Sequence, residues 1–283
     1  MNDSNRNSTI VTSEITSPPA TEIAGVLGID VGDRFSRFCL LDATTGAVAR
    51  KGRMPTTVIG LNRLLAGKAR LRVAIEVGTH SAWMSRHIEE LGHEALVANS
   101  RKLRAIYKSD RKNDELDALM LARLARVGPE LLCPIQHRSA EAQTDLAALR
   151  ARDELVRCRT KLINSVRGTV KSFGERLPSC SAEAFHKAAC VSMPNYLQPA
   201  LLPLVAQNQE LTARIRDYDK LIVRIAKRYP VVERLQEIPG VGPITALTYI
   251  LTLEDPKRFK SARSAGAYVG LCPKLDESGD QSS

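Results

Sequence analysis

Residues 24–50 read AGVLGIDVGDRFSRFCLLDATTGAVAR, and the punctuation of this stretch decides the fold of the first half of the chain. A short apolar run closes on Asp30, a Gly32-Asp33 turn follows, a second run covers 38–41, and the Thr45-Gly46 turn leads into 47–50. Runs of this length bounded by such turns predict three strands joined as hairpins. Further along, residues 57–68 are amphipathic at helical spacing, 71–76 (LRVAIE) form a buried-type strand ending before Gly78, and 81–91 read as a helix. A strand at 94–98 and a strong helix at 114–127 (DELDALMLARLARV) complete the series. Three strands, then helices alternating with strands, predict an α/β domain with a mixed sheet over residues 23–137.

Past Arg138 the period changes. Leu149, Val156, Ile163 and Val170 recur every seven residues with Arg and Lys between them. After a break at 178–203 containing Ser and Pro, Leu204, Leu211, Tyr218 and Ile225 repeat at seven, joined by Ile215, Ile222 and Tyr229. Two heptad helices over 138–229 predict an α-helical coiled-coil arm, a dimerisation zipper or both; a helical hairpin within one chain satisfies the same pattern. Tyr229-Pro230 opens a short helical region, 230–283, whose IPGVGP turn (238–243) leads into ITALTYIL.

Composition narrows the partners. The formal charge of +10 favours a polyanion such as DNA, and 4% aromatic residues argue against a surface that reads single strands mainly by stacking. No run of 18 apolar residues occurs, so a membrane span is not expected. Residues 1–22 are polar and lack the apolar segment of a signal peptide, which predicts a disordered tail on a cytoplasmic protein. Cys39, Cys133, Cys158, Cys180, Cys190 and Cys272 form no C-x-x-C pair, so reduced thiols are expected. His80, His87 and His93 lie seven and six apart, which does not stack them on one helix face as metal ligands.

Asp30 and Glu76 each close a buried strand, where a carboxylate is costly unless it is paired or metal-bound. Asp114 and Asp117 are three apart and share a helix face, although an N-cap and a first-turn acid account for them equally well. Brought together, the four would make an all-oxygen site for Mg²⁺ or Mn²⁺, and two such ions would clamp a phosphodiester. Arg101, Lys102, Arg104, Lys108, Arg111 and Lys112 run straight into Asp114 and would place phosphate-binding charge beside the metals. The turn containing Gly240 and Gly242 is similar to a helix-hairpin-helix loop, whose backbone N–H groups can hold a DNA phosphate, and a Pro/Gly turn capping a core helix fits the same residues. From chemistry alone Ser278, in Asp276-Glu277-Ser278-Gly279, is a turn residue without an activating partner.

These motifs, in this order, resemble the DEDD transposases of the IS110 family of insertion sequences, which includes Piv-type DNA invertases. GIDVG with Asp30, VAIEVGTHSAW with Glu76, RKNDELDA with Asp114 and Asp117, LQEIPGVGPITA and AYVGLCPKLDESG all correspond, and the resemblance covers roughly 24–283. It implies a RuvC/RNase H-like N-terminal fold and a Mg²⁺-binding site made by the DEDD carboxylates. It also implies a nucleophilic serine that falls on Ser278 and forms a phosphoserine link to DNA. A guide RNA transcribed from the element and a homo-oligomer, dimer or tetramer, are implied partners. Family members continue beyond the Ser-Gly pair with a Gly/Lys-rich stretch and a closing helix. This chain stops at Ser283, so a C-terminally truncated copy is expected, with a non-catalytic nucleic-acid-binding remnant as the alternative reading. GIDVG also opens actin-like kinases, but their second glycine-rich phosphate loop is not found here.

Overall fold

A computed structural model describes residues 22–100, 102, 114–271, 277–278 and 281–282, and the chain divides into two compact units, Met1–His137 and Arg138–Ser283. The predicted tail up to residue 21, and Arg101, Arg104, Lys108, Arg111 and Lys112, lie outside the described residues.

Unit 1 is a five-stranded sheet in the order β3-β2-β1-β4-β5. The strands are β1 Gly25–Asp30, β2 Phe35–Asp42, β3 Val48–Pro55, β4 Leu71–Glu76 and β5 Glu94–Ala98. β1, β2 and β3 form an antiparallel meander, while β1–β4 and β4–β5 pair in parallel through α1 (Val58–Leu65) and α2 (Ser81–Glu90). The sheet is therefore mixed, as the element order requires. Side chains alternate between its two faces. Leu27, Ile29, Phe38, Met54, Val73 and Ile75 meet Leu61, Leu64, Leu65, Met84 and Ile88 on the α1–α2 side. Val26, Ala74 and Ala98 meet Leu121 and Ala125 on the other, where helix α3 (Asp114–Val127) lies. β2 begins at Phe35, three residues before the apolar run at 38–41, because Ser36 alternates into the core and its hydroxyl bonds Thr56 Oγ1 at 2.8 Å.

α3 sits unusually close to the sheet. A Cβ on Gly28 would lie 2.0 Å from the Ala118 carbonyl oxygen and 2.6 Å from the Ala122 nitrogen, so only glycine fits at that point of β1. The helix runs against the direction of β1. Arg72, level with Val26, donates from Nη1 to the Ala125 carbonyl near the start of β1, whereas Ala118 lies over Gly28.

Unit 2 is helical. α4 (Ala140–Ser172) and α6 (Gln198–Ala226) pack antiparallel, with α5 (Phe185–Ser192) against the α4 end. Ala142, Leu146 and Leu149 pack with Ile222, Ile225 and Ala226 at one end. Val166 and Val170 pack with Leu201 and Val205 at the other. The inward positions of α4 include the expected row Leu149/Val156/Ile163/Val170 beside a second row, Asp145/Arg152/Arg159/Val166. In α6 the most buried row is Leu201/Asn208/Ile215/Ile222, and the expected Leu204/Leu211/Tyr218 row flanks it, half-buried. A seven-residue count cannot choose between two neighbouring apolar rows; packing against α4 chooses. α6 also starts inside the expected break, with Pro199 in its first turn, where a missing N–H costs nothing.

The seam is polar at its middle. Arg152 Nε donates to Asp219 Oδ1 at 2.6 Å, and Arg159 reaches Glu183 at 3.1 Å. Asn208 is 0% exposed, and among the described residues neither atom of its amide meets a partner. Burying an unpaired amide costs about 1–3 kcal/mol. Asn208→Val is therefore expected to raise the stability of the helical unit by about 1 kcal/mol or more, read as a higher melting temperature in calorimetry. A drop instead would mean that the amide has a partner in the folded protein.

Helices α7 (Val231–Gln236), α8 (Pro243–Leu253) and α9 (Ala262–Tyr268) and a hairpin of β6 (Glu277–Ser278) with β7 (Gln281–Ser282) complete the described chain. No helix among the described residues is long and apolar enough to cross a membrane.

Candidate active site

Asp30 and Glu76 end neighbouring parallel strands. Ile29 pairs with Ile75 in the β1–β4 register, so the next residues, Asp30 and Glu76, stand side by side, about 4.8 Å apart in strand spacing. By alternation both project to the α3 side of the sheet. They line one open cleft of about 320 Å³ with Val31, Gly32, Asp33, Val77, Gly78, Thr79 and His80.

Local hydrogen bonds fix the two loops that carry these carboxylates. After β1, Thr56 Oγ1 donates to the Gly32 carbonyl at 2.9 Å and Thr56 N donates to the Arg34 carbonyl at 2.9 Å. After β4, Val77 N donates to the Ala98 carbonyl, and the Ser81 hydroxyl both accepts from Gly78 N at 3.0 Å and donates to the Gly78 carbonyl at 2.7 Å. The Gly-containing turns that close the two strands are thus tied to neighbouring elements.

Asp114 opens α3, four residues before Ala118. Four residues of helix rise about 6 Å, and the two strand residues from Gly28 to Asp30 rise about 6.6 Å. Because α3 runs against β1, the Asp114 backbone comes level with Asp30 on the face to which Asp30 projects. Asp117 is half-buried, one residue before the buried Ala118, and is not among the residues lining the cleft. Among the described side chains, no group of three or more His, Cys, Asp or Glu is gathered tightly enough to hold a metal ion, and the Asp114 side chain lies outside them. The two neighbouring carboxylates of Asp30 and Glu76 are hard oxygen donors, a chemistry that suits Mg²⁺ or Mn²⁺ better than zinc.

His80, with its partner Trp83, and Arg37 add to the surroundings of the two carboxylates. His80 Nδ1 accepts a hydrogen bond from the Trp83 indole N–H at 3.1 Å. An indole nitrogen only donates, so a neutral His80 carries its proton on Nε2, the atom 3.8 Å from Asp33 Oδ1. The cleft thus gains an N–H donor that is not available as a metal ligand. Arg37 stands opposite Asp30 in the β1–β2 register. The i, i+3 spacing of His80 and Trp83 on α2 was a visible signal; the Arg37 pairing required the strand register. His93 and His87 serve the fold: His93 bridges Leu71 N and the Leu65 carbonyl, and His87 Nε2 meets Asn62 Oδ1 at 2.7 Å.

Of the other predicted contacts, Lys102 is exposed, its N–H donating to the Asn99 carbonyl. Gly240, at φ +87°, and Gly242 lie in the turn between α7 and α8, and Gly242 is the N-cap of α8. The backbone at Ser278 pairs with Gln281.

Residues 27–174 match a family model for DEDD transposases of IS110 type, described as "Transposase". Residues 232–283 match a second, "Transposase IS116/IS110/IS902 family". The chain is 31% identical to the y4pF/y4sB protein of Sinorhizobium fredii over 71% of this chain and 52% of that one. It is 29% identical to the transposase for insertion sequence element IS1328 of Yersinia enterocolitica over 91% of this chain and 76% of the relative. It is 26% identical to the transposase for insertion sequence element IS1111A of Coxiella burnetii over 90% of this chain and 70% of the relative. The chain thus spans about half the length of the first of these relatives.

Proposed function

Because the chain belongs to the IS110 family of transposases, we propose that its first unit is a RuvC-like domain that cuts DNA strands at a metal site made by Asp30, Glu76, Asp114 and Asp117. The observation that carries this reading is the placement of Asp30 beside Glu76 at the ends of parallel neighbours, on the face where α3 begins. Two carboxylates one strand apart repel each other, and a divalent cation removes that penalty. Mg²⁺ or Mn²⁺ held there would act as a Lewis acid on the scissile phosphate. The protein's own part is to hold the carboxylates on pinned turns and to offer the His80 Nε2–H as a donor to a phosphate oxygen.

Ser278 is the proposed nucleophile: its oxygen would bond to phosphorus, displacing a deoxyribose oxygen, while its proton passes to solvent or a base. The Gly240–Gly242 turn would bind a phosphate through backbone N–H groups at the start of α8. Lys102, Arg101, Arg104, Lys108, Arg111 and Lys112 would neutralise DNA beside the site. A guide RNA and a dimer or tetramer joined through α4 and α6 as a coiled-coil arm complete the reading.

The test is strand cleavage of DNA carrying the element ends with and without added Mg²⁺ or Mn²⁺. Cleavage that requires the cation and falls at least about 10³-fold in Glu76→Gln is expected, given the several kcal/mol a metal contributes to phosphoryl chemistry. Cation-independent cleavage, or a Glu76→Gln variant as active as the parent, would sink it.

A further inference from the structure

β3 is an edge strand whose sequence, VARKGRMP, holds three cations and no acid. Register and alternation sort those cations by face. Arg53 pairs with Arg37, and Lys51 with Cys39. Cys39 and Leu41 pack against Ala118 and Ala122 of α3, which fixes the α3 side of the sheet as the side of Arg37, Lys51 and Arg53. Arg50, paired with Leu40, belongs to the opposite face and lies over the Phe38 ring. A single row therefore crosses four strands on one face, from Glu76 through Asp30 and Arg37 to Arg53. Arg53 stands two strand spacings, roughly 10 Å, from Asp30.

α3 covers β1 and part of β2 on this face but leaves β3 open, and both Lys51 and Arg53 are exposed. The Arg53 guanidinium carbon lies 3.7 Å from the centre of the Phe35 ring, itself 47% exposed. Arg123 is exposed on α3 directly after Ala122, which packs against Cys39, the cross-strand partner of Lys51; both cations act to lower the Cys39 thiol pKa that burial raises. A charged edge strand can serve merely to block sheet-to-sheet association. That role needs neither a stacked aromatic nor a row ending at a carboxylate cleft.

We propose that Arg37, Lys51, Arg53 and Arg123 form a track for single-stranded DNA leaving the carboxylate cleft, with one base stacked on the Arg53–Phe35 pair. Cations along a groove neutralise successive phosphates, and a guanidinium plane backed by an aromatic ring accepts any base. The direction of the strand, outward from the cleft, rests on the nuclease reading above; the binding itself does not.

The test is fluorescence anisotropy of the full chain with an end-labelled DNA oligonucleotide of about 20 nucleotides, a length beyond typical single-strand site sizes, without divalent cation and across a salt series. The double variant K51Q/R53Q should weaken binding about tenfold or more at low salt. It should also lower the slope of log Kd against log salt by about 0.7, the contribution of the one phosphate contact that Lys51 makes on a single strand. Phe35→Ala should weaken binding roughly fivefold or more through lost stacking, with the slope unchanged. Arg50→Gln, on the same strand but the opposite face, should leave both quantities alone. The four substituted side chains are exposed, and a melting curve for each variant confirms that it is folded. The track is overturned if K51Q/R53Q binds like the parent, or if Arg50→Gln weakens binding as much. It is also overturned if the loss appears only with duplex DNA or with RNA of the same sequence. Mn²⁺ titration of the same preparations separates the two readings. Intact Mn²⁺ binding with no effect of K51Q/R53Q removes the track and leaves the cleft. Absent Mn²⁺ binding with the effect retained removes the cleft and leaves the track.

Discussion

Asp30→Asn is expected to abolish divalent-cation binding while leaving the chain folded. The substitution keeps the shape, turns one acceptor oxygen into an N–H donor, and removes one of the two charges that stand side by side on β1 and β4. Without metal, relief of repulsion from Glu76 is offset by the weakened attraction to Arg37 opposite, so stability should change by less than about 1 kcal/mol. With metal the difference is large. A cation at a hundred times its Kd adds about 2.7 kcal/mol to the folded state, and the variant should gain almost none of it. Melting curves with and without Mn²⁺, beside calorimetric titration, measure both effects. Equal metal-induced shifts in parent and variant would remove Asp30 from the site.

Gly28→Ala is expected to destabilise unit 1 by about 3 kcal/mol and to weaken cation binding at least about tenfold, because overpacking of this kind distorts backbone as well as side chains. The added methyl meets the Ala118 carbonyl and the Ala122 nitrogen, and neither can turn away as a side-chain tip could. α3 must move off the sheet by an ångström or more, and Asp114 and Asp117 move with it. Trp83 is the chain's only tryptophan and lies in unit 1, so its fluorescence during denaturation reports on that unit. A variant with parental stability would mean that α3 does not rest on Gly28.

The strands and helices of unit 1 were legible because their signals are local. Short, mostly apolar runs closing on Asp30 and Glu76, and small residues at helical spacing in 114–127, need no knowledge of the fold to be seen. That the two carboxylates converge was expected because each closes a buried strand, but their side-by-side placement comes from the parallel β1–β4 pairing. The row from Asp30 through Arg37 to Arg53 was not legible. Period two tells which face a residue takes, but the partner across the sheet depends on turn geometry and on a register shift between Leu40 and Leu41. The α6 seam was legible in part: Ile215, Ile222 and Ile225 are buried as expected, whereas Leu204, Leu211 and Tyr218 are half-buried and the buried row continues through Asn208, whose polar side chain hides it from a hydrophobic count. His80 was set aside for lacking a histidine partner, whereas its partners in the fold are a tryptophan and an aspartate.

The order in which the chain is synthesised gives the close seating of α3 another consequence. By the time β5 has emerged at Ala98, all five strands exist and α1 and α2 can cover one face of the sheet. The other face, with Val26, Cys39, Leu41, Ala74 and Ala98, stays bare until α3 has been made some thirty residues later. At about 5–20 residues per second that interval lasts roughly 1.5–6 s, far longer than the microsecond-to-millisecond time that collapse and local strand pairing take. A ribosome carrying this nascent chain therefore presents a half-covered sheet with an open β3 edge for seconds in each round of translation. That interval, rather than the finished protein, is when the chain most needs shielding from its neighbours.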